Sequence, residues 1–124
     1  MNSIDRLWMT LCIYHEARGE PIDGKIAVCH VILNRAYSRG LSVKQIILQP
    51  YQFSWANGNA RPPIKDYDSL EECADAVDAC LLERSRGEYF SHADHYFSDT
   101  INPPSWAKNM TLVEKIGHHS FYRE

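Results

Sequence analysis

A carboxyl group at the junction of two helical patterns is the first feature of this sequence that could do chemistry. Glu16 lies in the run IYHEARGEPIDG, residues 13–24. Apolar side chains before it recur at helical spacing and predict a helix over 3–16, while Gly19 and Pro21 predict its end and the start of another. A half-buried carboxyl on a rigid helix has a raised pKa, because burial disfavours the charged form. Glu16 is therefore a candidate general acid.

Size and composition predict an ordinary globular domain. The chain has 124 residues, 44% hydrophobic and 23% charged, which predicts a single domain over residues 1–124 with a real core. The net charge of −3 gives no bulk positive field for nucleic acid. We find no apolar run long enough to cross a membrane and no signal-peptide pattern, so we expect synthesis in the cytoplasm without a leader.

The cysteines show neither a metal-binding spacing nor a disulfide framework. They fall on predicted apolar helix faces, where cysteine behaves as a small hydrophobic residue. We therefore expect four buried free thiols, at Cys12, Cys29, Cys73 and Cys80.

The helical patterns also predict the elements that position Glu16. In the first helix the inward face is predicted to contain Ile4, Leu7, Trp8, Leu11 and Cys12. A second helix follows Pro21 and is predicted to be central, since Val28 and Val31 widen its apolar face; its predicted rim residues are Lys25, Asn34 and Arg35. Capping boxes at Ser42 and Ser69 predict a short helix ending before Pro50 and a long one to about Arg86, whose solvated face would carry Asp75, Asp78 and Glu83.

The last third of the chain has a different character. Residues 94–98 are short and aromatic and predict a strand. Residues 102–107 contain two prolines and predict a rigid turn, and residues 116–123 predict a second strand. The two strands would form a small antiparallel element near the C-terminus.

Five motifs in this order resemble the SleB-type cell wall hydrolase family of spore-cortex-lytic enzymes and phage lysins. They are EARGEPIDGKIAVCHVILNR at 16–35, QFSW at 52–55, HY at 95–96, NPPSWA at 102–107 and IGHHSFYR at 116–123. Twenty residues of the first motif are a far more specific signal than a short pattern. The resemblance implies a mainly helical α+β domain of the lysozyme-like kind that cleaves the glycan strands of peptidoglycan.

The resemblance also implies roles for further residues. Residues 52–55 match a family element that lines the substrate groove, so Gln52, Phe53, Ser54 and Trp55 are candidate substrate-binding residues. On composition alone, the same stretch is equally a surface loop held by Phe53 and Trp55 in the core. The further candidates are Tyr96 and His95, to orient the acid or the substrate's acetamido group, and Asn102 and Trp106, to hold sugars.

Glycoside cleavage requires an acid and a means of stabilising an oxocarbenium-like centre. The family resemblance suggests one catalytic glutamate, as in lytic transglycosylases: Glu16 would protonate the bridging oxygen between N-acetylmuramic acid and N-acetylglucosamine, then accept the muramoyl C6 hydroxyl proton as a 1,6-anhydro ring closes. The alternative is a muramidase-type hydrolase that uses a second carboxylate, with Glu20 the leading candidate and Asp23, Asp94 and Asp99 behind it. His15, next to the acid, is a candidate to alter its pKa.

Two rival functions belong to other classes. A zinc hydrolase could use three of His92, His95, His118 and His119, but the HExxH helix motif is absent, and adjacent strand residues point to opposite faces. We therefore expect no metal or cofactor, with His92 exposed and His119 structural near Tyr122.

A catalytically silent wall-binding module would keep the aromatic groove but would not need the acid. We expect a monomer that acts on bacterial peptidoglycan, as a phage-type lysin or a spore-type domain, without nucleic-acid or membrane partners.

Overall fold

Helices make up most of the protein, and a small antiparallel sheet follows them. The computed structural model describes residues 1–50, 52–58 and 61–124; Tyr51 of the predicted aromatic segment and residues 59–60 of the predicted loop lie outside these ranges. The helices are α1 (Ser3–Ala17), α2 (Ile22–Arg39), α3 (Val43–Leu48), α4 (Ser54–Asn57) and α5 (Tyr67–Ser85). The strands are β1 (His95–Ser98), β2 (Thr111–Ile116) and β3 (His119–Arg123), with 3-10 helices at Phe90–His92 and Ser105–Asn109.

Helix α1 buries a different stripe from the predicted one. Ile4 and Leu7 are each 56% exposed, so their predicted inward positions are wrong. The fully buried side chains of this helix are Met9, Cys12, Ile13 and Tyr14. The sequence of α1 contains two overlapping sets of apolar residues at helical spacing. The set that packs against the other helices is Met9, Cys12 and Ile13, in the second half of the helix. That stripe continues to Glu16, so the helix brings this carboxyl to the edge of the core.

Helix α2 is central, as predicted, because Val28 and Val31 are fully buried. The prediction that Lys25, Asn34 and Arg35 form its rim is wrong, since all three are buried. Each polar end has partners inside the protein: Lys25 Nζ donates to the Glu20 carbonyl at 2.8 Å, and Asn34 Nδ2 to the Ala93 carbonyl at 2.8 Å. Hydrogen bonding of this kind makes burial of polar groups tolerable.

The short helix α3 follows the sequence signals, whereas α5 departs from them in two respects. The capping box at Ser42 is present, and Gly40 ends α2 in the left-handed conformation at φ +63°. Helix α5 begins at Tyr67 rather than near Ser69, because Asp66 is its N-cap and its side chain accepts from the Ser69 amide at 3.0 Å. Glu83 is not simply solvated: it is half-buried and its Oε1 lies 2.9 Å from His30 Nε2.

The sheet contains one more strand than predicted, with the order β1–β3–β2 and both pairings antiparallel. Strand β2 lacks a clean alternation of buried and exposed residues, and a bulge interrupts its register between Leu112 and Glu114, so its pattern is weak. Tyr96 pairs with Phe121 across β1 and β3. Since side chains alternate along a strand, Tyr96, His119 and Phe121 share the face towards the helices.

All four cysteines are buried free thiols, as predicted. Within the described residues, none of the helices is both long and apolar enough to span a membrane.

Candidate active site

An open groove of about 440 Å³ lies at the junction between α1 and α2. We call it the groove throughout. Helix α1 contributes Glu16, the candidate acid, and the sheet contributes residues of β1 and of the turn between β2 and β3. Its polar lining includes Glu16, Glu20, Ser98, Thr100, His118 and His119.

Glu16 has the environment of a general acid. Its side chain is half-buried, and Oε1 accepts a hydrogen bond of 2.8 Å from the Tyr96 hydroxyl. Burial raises the pKa of Glu16 above its ordinary value and outweighs the hydrogen bond from Tyr96 and the positive charge of Arg35, which both lower it. A carboxyl with a raised pKa keeps its proton closer to neutral pH and can donate it to a leaving oxygen.

Tyr96 is held as a neutral hydrogen-bond donor. Burial and the neighbouring Glu16 charge raise its pKa well above the ordinary value, so the phenol stays protonated. Its ring lies between aromatic neighbours on the inner face of the sheet, with centroid distances of 5.0 Å to His119 and 5.7 Å to Phe121. A donor that is fixed in this way orients the Glu16 carboxyl towards the groove.

Arg35 connects helix α2 with two segments that reach the site. Its Nε donates to the Asp94 carbonyl at 2.6 Å, just before β1, and a terminal nitrogen donates to Gln52 Oε1 at 3.3 Å. Gln52 itself is exposed. The structure therefore brings Gln52 to the arginine whose charge acts on Glu16, a contact that the sequence alone did not predict.

Glu20 lies in the groove but is already engaged. Its Oε1 accepts from the His118 amide at 2.7 Å, and its Oε2 from His118 Nδ1 at 3.0 Å. Burial would raise the pKa of Glu20, but the hydrogen bonds from the His118 side chain and amide outweigh burial and lower the pKa. The same contact with Glu20 raises the pKa of His118. Glu20 is thus an ionised anchor for the turn between β2 and β3.

His119 occupies the groove beside these groups. Its Nδ1 is buried without a hydrogen-bond partner and lies 3.7 Å from Glu20 Oε1. Burial lowers the pKa of His119, which keeps the imidazole neutral at neutral pH. Its predicted structural place near Tyr122 is wrong, because alternation along β3 puts Tyr122 on the opposite face. The signal that could have found it is that same alternation, counted back from the core residue Phe121.

Three predicted site residues lie away from Glu16. His95 precedes Tyr96 in β1 and so points to the outer face, where its Nδ1 pairs with Asp94 Oδ1 at 2.9 Å. Trp106 packs on that face, 5.0 Å from the His95 ring, and Asn102 is exposed in the preceding turn. The structure therefore contradicts the expectation that His95 orients the acid, whereas its other expected role, orienting the acetamido group, stays a prediction. Neither Trp106 nor Asn102 lines the groove.

The aromatic side chains of residues 52–55 are part of the core. Phe53 is 2% exposed and Trp55 is 6% exposed, so these two candidate substrate-binding residues have no open ring face for a sugar, and the alternative that they are held in the core agrees with the structure. Ser54 is exposed at the start of α4, a helix that the sequence pattern did not predict. The Trp55 ring stacks on the ring of His15, with 4.7 Å between the ring centroids, and so packs against a residue that lines the groove.

The candidate zinc ligands do not come together. His92 is exposed and stacks on Tyr89 at 5.8 Å, whereas His118 and His119 face Glu20. In the part of the chain that the structure describes, the single cluster of three acidic or histidine ligands comprises Asp94, His95 and Glu124. That cluster belongs to the outer face of β1 and contains none of the groove residues.

Comparison with known proteins identifies the family. A model of the family described as Cell Wall Hydrolase matches residues 19–122. The chain belongs to the cell wall hydrolase family. The SleB-type resemblance seen in the sequence motifs is thereby confirmed.

Several relatives of the chain are spore cortex-lytic enzymes. The protein from Oceanobacillus iheyensis is 29% identical over 116 residues, which cover 91% of this chain and 39% of the relative. The protein from Bacillus subtilis is 30% identical over 113 residues, which cover 88% of this chain and 34% of the relative. The chain therefore spans well under half the length of these relatives.

The fold matches solved structures over nearly its whole length. The catalytic domain of the germination-specific lytic transglycosylase SleB from Bacillus anthracis aligns with a TM-score of 0.76 at 28% identity, covering 99% of this chain and 97% of that one. The catalytic domain of the Bacillus cereus SleB protein aligns with a TM-score of 0.74 at 26% identity, covering 98% and 91%. The mainly helical, lysozyme-like α+β fold predicted from sequence is confirmed.

Proposed function

We propose that this cell wall hydrolase is a lytic transglycosylase that cleaves the β-1,4 bond between N-acetylmuramic acid and N-acetylglucosamine in peptidoglycan. The observation that carries the proposal is Glu16: a carboxyl of raised pKa, fixed by Tyr96, that lines an open groove. The related B. anthracis domain, described as a lytic transglycosylase, supports the reaction class.

In this mechanism Glu16 acts twice. Its proton passes to the bridging oxygen as the bond to the muramoyl anomeric carbon breaks, and the acetamido oxygen of the same sugar stabilises that carbon. The C6 oxygen then bonds to the anomeric carbon, and its proton passes to the Glu16 carboxylate. The enzyme returns to its starting state, and the product is a 1,6-anhydro sugar without added water.

The state of Glu20 favours this scheme over hydrolysis. Glu20 is the other carboxylate on the groove lining of the described residues, and both its oxygens accept hydrogen bonds from His118. A nucleophile or a base that activates water needs a free oxygen directed at the sugar. Transglycosylation requires no second carboxylate and therefore fits this arrangement better. The muramidase reaction through Glu20 is the alternative.

Release of soluble fragments from purified peptidoglycan tests the activity itself. We expect the native protein to release muropeptides and Glu16→Gln to release none, because the amide has no proton of suitable acidity to donate. Glu71→Gln is the matched control, since Glu71 is exposed on α5 and should keep full activity. Unchanged release by Glu16→Gln would overturn the proposal.

The proposal includes the place and mode of action. The substrate requires that the protein act at the cell wall or the spore cortex. We infer that it does so as a monomer without a nucleic-acid or membrane partner, in keeping with its net charge of −3.

A further inference from the structure

His119 is a groove residue that the proposed mechanism has not used. It is the residue after the turn that Glu20 anchors, and it is 6% exposed with its remaining surface on the groove. Its ring lies 5.0 Å from the ring of Tyr96, whose hydroxyl holds the acid Glu16. The imidazole is therefore fixed beside the catalytic carboxyl rather than at a distant part of the surface.

The position of Glu20 determines which ring nitrogen of His119 carries the proton. Nδ1 is buried, lacks a partner and lies 3.7 Å from Glu20 Oε1, just beyond hydrogen-bond length. A carboxylate beside an imidazole nitrogen favours the tautomer protonated on that nitrogen. In that tautomer the proton lies on Nδ1, and Nε2 is left as a hydrogen-bond acceptor on an imidazole that lines the groove.

We propose that His119, oriented by Glu20, is a substrate-contacting catalytic residue whose Nε2 accepts a hydrogen bond from the acetamido N–H of the muramoyl sugar. The proposal rests on the proposed function. The contact turns the acetamido oxygen towards the anomeric carbon, where the bond to the leaving sugar breaks. In this step an electron pair of that oxygen forms the new bond to the carbon, and the Glu16 proton goes to the leaving oxygen.

The same contact explains how positive charge is stabilised without a free second carboxylate. The cyclic intermediate carries its charge partly on the acetamido nitrogen, and the N–H bond becomes more polar as the charge develops. The neutral imidazole accepts that hydrogen bond, and the ionised Glu20 behind Nδ1 stabilises the positive charge that His119 begins to share. When the C6 oxygen attacks, the bond between the acetamido oxygen and the anomeric carbon breaks, and the acetamide is restored. Glu20 is a positioning residue in this account.

The proposal is tested on soluble glycan strands freed of cross-links and with a muramic acid thiazoline, a stable analogue of the cyclic intermediate. We compare the native protein with His119→Leu and with His119→Gln, whose amide oxygen can still accept. We expect His119→Leu to lower kcat by about 100-fold with little change in KM. We expect the same variant to bind the thiazoline at least about 10-fold more weakly. His119→Gln should recover part of both losses.

Two controls separate a chemical role from a structural one. His92→Leu changes an exposed histidine outside the groove and should keep native kcat and thiazoline affinity. Melting temperatures show whether each variant is folded, and His119→Ala, which also lacks an acceptor, replaces His119→Leu if that variant is not folded. A folded variant without an acceptor that keeps native kcat and thiazoline affinity would overturn the proposal, as would equal losses in that variant and in His119→Gln. Absence of cleavage by the native protein would instead mean failure of the proposed function.

Discussion

The hydroxyl of Tyr96 donates a 2.8 Å hydrogen bond to Oε1 of Glu16, although 80 residues separate them in sequence. This bond joins the last turn of α1 to the first strand of the sheet. The sheet therefore supplies the hydroxyl group that fixes the orientation of the Glu16 carboxyl, the proposed acid.

Replacing Tyr96 by Phe should change the pKa and the orientation of Glu16 while leaving its carboxyl in place. The hydrogen bond favours the ionised carboxylate, so its loss raises the pKa of Glu16 further. In a profile of kcat/KM against pH, the alkaline limb reports deprotonation of the acid and should move to higher pH. We also expect kcat to fall by about 10-fold, because the carboxyl is less well oriented.

Tyr37→Phe is the matched control for that profile. Tyr37 is 88% exposed and does not line the groove, so this variant should keep the native pH profile. An alkaline limb that stays in place in Tyr96→Phe, or moves to lower pH, would show that the hydrogen bond does not control the pKa of the acid.

Gly117 allows the turn between β2 and β3 to approach Glu20. Its φ is +57°, and a β-carbon there would lie 2.9 Å from Glu20 Oε1 and 2.9 Å from Pro21 Cδ. Gly117→Ala should therefore lower the free energy of unfolding by about 2–3 kcal/mol, from both backbone strain and the clash. It should also lower activity, because the displaced turn carries His118 and His119.

Gly40→Ala measures the cost of backbone strain without the steric clash. Gly40 has a similar φ of +63°, but nothing lies within 4 Å of a β-carbon built there. We expect denaturant unfolding to show a free energy of unfolding lower by about 1 kcal/mol. We expect the activity of this variant to stay at the native level. Equal destabilisation in the two variants would show that the contact with Glu20 does not constrain the turn.

Lys25 stabilises the segment between α1 and α2 that contains Glu20. Its Nζ donates to the Glu20 carbonyl at 2.8 Å and pairs with Glu72 at 2.9 Å. Lys25→Met keeps the apolar stem but leaves the carbonyl without its partner, and we expect a loss of about 2–3 kcal/mol in unfolding free energy. Glu72→Gln should cost less than about 1 kcal/mol, because its side chain is 53% exposed and remains solvated. The reverse order of the two losses would contradict this account.

The sequence predicts local features of this fold well. Glycine at the end of α2, the capping box at Ser42 and the apolar stripe of α2 depend on residues within a few positions of one another. Local backbone preferences and periodicity determine such features. The half-buried position of Glu16 in the last turn of α1 was also predicted, because the apolar stripe of that helix runs up to it.

The remaining site residues depend on tertiary structure. Arg35 looks like a surface residue in its helix pattern, yet it is buried because the Asp94 carbonyl and Gln52 provide its partners. His95 and Tyr96 are equal candidates by composition, and only the orientation of β1 shows that Tyr96 faces Glu16. His119 was missed because its contacts come from Glu20 and Tyr96, both distant in sequence.

Mass spectrometry of digested peptidoglycan tests the central claim most directly. Purified peptidoglycan is treated with the native protein and with Glu16→Gln, and the muropeptides are compared by mass before and after borohydride reduction. We expect the native protein to give 1,6-anhydro muropeptides, one water lighter than hydrolysis products and resistant to reduction, and the variant to give none. Reducible muramic ends that the same substitution abolishes would contradict transglycosylation and indicate hydrolysis through Glu20. Anhydro products from Glu16→Gln would show that Glu16 is not the acid.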